Sequence, residues 1–251
     1  MVDALEANLP YEGMVAEAYD TWLPPGSELP GDAYLAELID DGDGAALELG
    51  SGNGRALIPL LEEGLEVEGV DSARTMNDIC AAHARARQLD VTLHLGDIAP
   101  LALGRRYRTI TCPAGTFSLV HDVARATEAL GSYLEHLEPD GRLGLVLFVP
   151  VDELGSRFEW KLRRTGTRPS DGVTYVAHES VCCDEGAQLQ VSFTTIEAYD
   201  AGGRLTDTLL RKQRLRWWRQ GEIEDALAAV GFADVRSEGS DTFWVTTARR
   251  P

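Results

Sequence analysis

Along the chain the hydrophobic positions change period in a regular order. Strand-like apolar runs at residues 45–49, 66–70, 91–95, 108–112 and 142–148 alternate with helical patterns at 55–63, 73–87 and 123–137. Strand and helix taking turns through short Gly-bearing links predicts an α/β fold, a doubly wound and mostly parallel sheet with helices on both faces. Ahead of this block, residues 11–22 and 32–40 read as two short helices broken by Pro24-Pro25-Gly26 and Pro30-Gly31, which predicts a helical N-terminal cap over residues 1–43. After residue 150 the period falls to two. Three alternating runs near 173–181, 189–199 and 204–215 are joined by the turn sequences Asp184-Glu185-Gly186 and Asp200-Ala201-Gly202-Gly203. Residues 151–218 are therefore expected to form a small antiparallel β lid inserted into the fold. An amphipathic helix returns at 221–230, where Ile223, Ala226, Leu227 and Val230 share a face and Gly231 marks the stop. Closing strands near 235–238 and 243–248 bring the expected sheet to seven strands, with residues 44–150 and 219–251 as the two parts of one core.

Composition narrows the class of partner. A chain of 251 residues with 44% hydrophobic content can fill a substantial core. Its 41 acidic and 23 basic residues give a net charge of −18, a field that repels phosphate backbones and anionic lipid surfaces alike. Neither nucleic acid nor a membrane is an expected partner. The longest apolar runs fall far short of the roughly 20 residues of a membrane helix, and MVDALEANLP has neither the basic nor the apolar region of a signal peptide, so a cytoplasmic location is expected. Cys80, Cys112, Cys182 and Cys183 form no CxxC pair or disulfide ladder and are expected to be reduced.

The most informative segment is ALELGSGNGR, residues 46–55. Gly50, Gly52 and Gly54 alternate directly after an apolar strand and before a helix. Residues without Cβ let the main chain turn sharply and approach a ligand, while the helix that follows offers unpaired N–H groups. Seventeen residues past Gly54, the second strand ends in Asp71, a carboxylate placed to accept hydrogen bonds from both hydroxyls of a ribose. Dinucleotide folds use GxGxxG, whereas this loop reads GxGxG with Glu48 two residues ahead. An acidic residue there suits a cationic amino-acid moiety better than a pyrophosphate.

These motifs together resemble those of class I S-adenosylmethionine-dependent methyltransferases, over about residues 44–150 with a weaker echo at 219–248. The resemblance implies a Rossmann-like core and S-adenosylmethionine as the cofactor. It implies that Glu48, Gly50, Gly52 and Gly54 hold the methionine end, that Asp71 binds the ribose, and that Met76, in the D-x-S-x-x-M-like step Asp71 to Met76, lies against the adenine. It further implies that Asp97 of Gly96-Asp97-Ile98 bonds the adenine amino group with Ile98 beside it, and that the stretch from Cys112 to Phe117 lines the methyl-donor end. The fourth strand ends in Thr111-Cys112-Pro113 and lacks the acidic or Asn-Pro-Pro-Tyr pattern of several nucleic-acid and protein-amine methyltransferases, which favours a small-molecule acceptor. Around Phe117-Ser118-Leu119-Val120-His121 the chain is most similar to sugar-amine and other natural-product methyltransferases.

The expected chemistry is methyl transfer to an N, O or C nucleophile of a small organic molecule. His121 is the candidate base, because imidazole accepts a proton near neutral pH and related enzymes carry a His at the matching place. Tyr19 of the cap and Glu159 beyond the fifth strand are the further catalytic candidates, and Phe117, Phe158 and Trp160 are candidate acceptor contacts. The five histidines show no ligand spacing and no metal is expected. Arg211, Arg214, Arg216 and Arg219, interleaved with Trp217 and Trp218, read as a solvated edge strand. Two alternatives stay open: a cofactor-binding protein without methyl transfer, and an NAD-dependent dehydrogenase. A homodimer also stays open.

Overall fold

Seven strands form the central sheet of the computed structural model, which describes Asn8, residues 10–151, Leu154 and residues 159–251. The order across the sheet is β10-β11-β5-β4-β1-β2-β3. The first four strands in chain order are β1 (Ala46–Leu49), β2 (Val67–Asp71), β3 (Leu93–Leu95) and β4 (Tyr107–Cys112). With β5 (Leu137–Phe148) they pair in parallel. The C-terminal strands β10 (Ala233–Gly239) and β11 (Phe243–Arg249) form an antiparallel hairpin, and β11 also pairs antiparallel with β5, so it is the strand that runs against the direction of the rest of the sheet. Every residue of β1 is buried, as expected of a central strand covered on both faces.

Helices fill both layers. α5 (Val123–His136) and α6 (Gln220–Val230) set Ala126, Leu130, Tyr133, Ile223 and Leu227 against one face. On the other face, α3 (Leu57–Glu62) and α4 (Arg74–Ala86) bury Leu57, Ile58, Cys80 and Ala84, joined by Ile39 of α2 (Asp32–Asp40). Both ends of α6 are closed by sequence chemistry. Glu222 accepts the Arg219 N–H at 3.0 Å at the start, and Gly231 takes the left-handed conformation at the stop.

The insert is a second, four-stranded antiparallel meander, β6 (Lys161–Thr167), β7 (Thr174–Asp184), β8 (Leu189–Tyr199) and β9 (Leu205–Arg216). It has one strand more than the three alternating runs announce. β6 reads KLRRTGT and is almost wholly exposed, so no hydrophobic alternation marks it. α1 (Met14–Trp22) lies against this sheet, packing Val15 and Ala18 on Tyr175, Ala177, Ile196 and Ala198. Its opposite face meets α4 through Ala16 and Met76.

The arginine-rich edge departs from the sequence reading. β9 is an edge strand, but Arg211 is only 6% exposed and its guanidinium stacks 3.8 Å from the centre of the Tyr11 ring. Trp217 and Trp218 are buried as well. The reason is that the end of β9 is tucked against the cap segment and the 3-10 turn Thr116–Leu119, so one face of the edge is covered. All four cysteines are free thiols, and no described helix is long and apolar enough to cross a membrane.

Candidate active site

The glycine loop leaves the C-terminal end of β1 and turns beneath Asp71. Gly50, Gly52 and Gly54 all hold positive φ. At Gly50 a Cβ would stand 2.4 Å from Thr116 Cγ2, so only glycine lets the loop pass under the turn after β4. At Gly54 a Cβ would lie 2.7 Å from Cys80 Sγ and 2.8 Å from Ile58 Cγ1, so this glycine serves close helix packing. Asp71 fixes the loop from the next strand: its Oδ2 accepts the Gly52 N–H at 3.0 Å and its Oδ1 the Ala73 N–H at 2.8 Å. Burial pushes its carboxyl above the ordinary range, while these backbone bonds pull the other way.

Above the loop opens a cavity of about 570 Å³. Gly50, Gly52, Asp71, Ser72, Met76, Asp97 and Ile98 line one side, and Ala114 to Thr116, Val120 and His121 the other. The cap roofs it with Tyr11, Tyr19, Leu23 and Leu29. Tyr11 and Tyr19 meet edge to face, ring centres 5.7 Å apart. Burial raises the Tyr19 phenol to about 12, so near neutrality it is a hydroxyl donor and not a base. Ties to the glycine loop, α4 and Arg55 hold the cap. Glu12 accepts the Arg74 and Thr75 N–H groups at the start of α4, at 2.6 and 3.0 Å. Asp20 Oδ1 accepts from Asn53 at 2.8 Å and lies 2.8 Å from His83 Nε2. Arg55 forks onto Asp32 at 2.5 and 3.0 Å.

A second cavity, about 490 Å³, lies between α1, the end of β5 and the inner face of the lid. The lid contributes Arg163, Glu179, Gln190, Ser192 and Thr194. Glu179 pairs with Arg163 at 3.1 Å, and strand register sets Glu179, Thr194 and Arg211 in one row across the sheet. Tyr11, Tyr19, Phe148, Arg164, Arg211, Gln213 and Leu215 line both cavities, so the two spaces share a wall. Gln213 Nε2 donates to the Tyr11 hydroxyl at 3.1 Å, joining cap to lid at that wall.

Of the residues singled out from sequence, Gly50, Gly52, Asp71, Met76, Asp97, Ile98, Tyr19 and His121 converge on the first cavity. His121 is half-buried, with Nδ1 3.4 Å from Leu119 O. Its neighbour Asp122 caps α5 by accepting the Arg125 N–H at 2.8 Å, so His121 is not the capping residue. Glu48 points elsewhere. It lines a third cavity, between α2 and α3, with Asp32 and Arg55, and burial raises its carboxyl to about 8. Cys112 and Phe117 are core residues lining none of the three cavities. Phe117 is enclosed between Tyr133 and Trp218, ring centres 6.3 and 6.0 Å away, which removes it as an acceptor contact. Glu159 and Trp160 are exposed and line none of these cavities, and Phe158 lies outside the described residues. Sequence reasoning places Tyr11 in the cap and Phe148 at the end of the fifth strand without a contact for either, and it missed Arg164, Arg211 and Gln213. A signal for the last two existed, because Arg211, Gln213 and Leu215 share one face of a strand at period two.

Residues 46–141 match the family described as a methyltransferase domain. Over 236 residues, 91% of this chain and 94% of the relative, the chain is 26% identical to a dTDP-3-amino-3,4,6-trideoxy-alpha-D-glucopyranose N,N-dimethyltransferase of Streptomyces venezuelae. A dTDP-3-amino-3,6-dideoxy-alpha-D-glucopyranose N,N-dimethyltransferase of Streptomyces fradiae is 32% identical over 136 residues, 52% of each chain. Among solved structures, the CcbJ methyltransferase of Streptomyces caelestis superposes with a TM-score of 0.74 at 24% identity, covering 96% of this chain and 98% of its own. The loop, the carboxylates at the end of β2 and just beyond β3, the strand order and these likenesses agree: residues 46–141 are a methyltransferase domain of the class I fold, and the chain is a methyl-transferring enzyme that uses S-adenosylmethionine.

Proposed function

We propose that the chain methylates the amino nitrogen of a sugar, free or carried by a larger small molecule. The observation that carries this reading is the shared wall between the two cavities, which gives a roofed cofactor site a polar acceptor room directly beside it. The full-length relative from Streptomyces venezuelae is named for N,N-dimethylation of an amino sugar, which supports nitrogen as the acceptor atom.

S-adenosylmethionine, when bound, supplies a methyl group on a positively charged sulfur that departs as a neutral thioether. The residues present fit it: a glycine passage that a Cβ would fill, and a carboxylate already aligned by loop amides at the end of β2. Asp71 would hold the ribose, Asp97, Ile98 and Met76 the adenine, and the Gly50-Gly52 turn the methionine end. Tyr11 and Tyr19 close the roof and exclude water. Glu179, Ser192, Thr194 and Gln213 offer the hydrogen-bonding groups that fix sugar hydroxyls, so the acceptor nitrogen is presented in one orientation. His121 takes the proton that the amine gives up, and no divalent metal is required because the electrophile already carries its own charge.

Incubation with S-adenosylmethionine and amino sugars, nucleotide-linked and free, tests this by mass spectrometry. The expected result is a gain of one methylene per transfer with matching release of demethylated cofactor, undiminished by EDTA. Cofactor binding without any methylated product across amines, phenols and enols would favour a binding protein instead.

A further inference from the structure

The mouth of the cofactor cavity carries an ion pair with a geometry beyond simple charge pairing. Asp97 follows β3, and its Oδ1 accepts the Ala99 N–H at 2.9 Å while its Oδ2 lies 2.6 Å from Arg125 Nη2. Arg125 stands in the first turn of α5 and also donates Nε to the Ala99 carbonyl at 2.8 Å. The N–H and the C=O of one residue are thus bonded by the two members of one pair, which closes Asp97, Ala99 and Arg125 into a ring. Asp97, Ile98, Ala99 and Arg125 all line the cavity. The two charged side chains are 51% and 54% exposed, and a pair so open to water contributes little to fold stability. What the ring supplies is order in the turn that faces the ligand.

We propose that Arg125 is a positioning residue for purine recognition, and that it sets the preference for a 6-amino over a 6-oxo purine. This rests on the reading of Asp97 as the adenine partner. An ionised carboxylate only accepts hydrogen bonds, so it rewards a 6-amino group and opposes a 6-oxo group. Each carboxylate oxygen has more than one lone pair, so Asp97 can hold Ala99 and Arg125 and still accept from a ligand. Without Arg125, Asp97 keeps the Ala99 N–H alone, and its second oxygen is free to turn toward water.

Calorimetry on the full chain with S-adenosylhomocysteine and its deaminated form, S-inosylhomocysteine, tests the proposal. Arg125→Ala should weaken the adenine ligand about tenfold, the effect of one hydrogen bond to a charged group, and leave the inosine ligand unchanged. Arg125→Lys, which has one nitrogen in place of the two that Arg125 sets on Asp97 and the Ala99 carbonyl, should recover part of the preference and serves as the test variant if the alanine form does not fold. Equal weakening of both ligands, or no weakening of either, would overturn the role of Arg125. Asp97→Ala separates the two levels: if it keeps the wild-type preference, the adenine reading of Asp97 fails, whatever Arg125→Ala does.

Discussion

Glu48 shows how one buried carboxyl makes itself visible in solution. Its folded-state value of about 8 lies above the ordinary 4.5, so the folded chain binds this proton more tightly than the unfolded chain does. The resulting stability is complete below 4.5, declines as pH rises, and is gone above about 8. Glu12, Glu17, Asp20, Glu68 and Glu222 are shifted downward and act at the acid end, where stability grows with pH. Between pH 5 and about 8 the ligand-free wild type should therefore lose melting temperature relative to Glu48→Gln, and parallel curves for the two proteins would refute this. Asp71→Ala should weaken S-adenosylmethionine by about 1.5 to 3 kcal/mol in calorimetry, the range for hydrogen bonds to a charged group, with the fold intact. His121→Ala should lower kcat by about 10²- to 10⁴-fold with cofactor affinity unchanged. An unchanged pH–rate profile in that variant would leave orientation as the only contribution of this part of the wall.

Among the elements, the lid divides the labour most cleanly. Glu179 and Thr194 line the second cavity and not the first, so Glu179→Ala and Thr194→Val should raise KM for the acceptor and spare S-adenosylmethionine affinity. A matching loss of cofactor binding would place the lid in the cofactor site. This is also the level at which the sequence was most and least legible. β8 and α2 carry strong periodic patterns and were readable to the residue, Leu189–Tyr199 and Asp32–Asp40. β6 was not readable, because an exposed strand with three basic residues and a glycine buries no face and therefore shows no alternation. The cofactor loop was legible because glycine and a strand-end carboxylate are local requirements. The acceptor wall was not, because Tyr11, Phe148 and Arg211 meet only through the fold, and residue type alone cannot distinguish an arginine stacked on a tyrosine from one in water. Phe117 and Cys112 follow the same logic in reverse, since a place near the end of β4 does not say which way a side chain points.

At the scale of the molecule, the cap is joined to the core through Arg55 and Asp32, which are 5% and 18% exposed. Asp32→Ala takes the carboxylate fork from a buried guanidinium and leaves it the Ser27 carbonyl at 2.8 Å, which should cost about 3 to 5 kcal/mol, read as a lowered midpoint in denaturant melts. Saturating S-adenosylmethionine should recover part of the loss by mass action. Asn8 donates to the Arg214 carbonyl and accepts the Arg214 N–H, both at 2.7 Å, and Tyr11 receives Gln213. These contacts span 206 and 202 positions of sequence. A chain made from its N-terminus exposes the roof of the cofactor cavity early, yet the strand that fastens it follows all five parallel strands of the core. Closing so long a loop gives little reward until β9 has docked, so the parallel strands β1 to β5 can pair before the cavity is sealed. Competence to bind both substrates is then a late event of folding, and refolding followed by ligand capture should lag behind refolding followed by the secondary structure of the core.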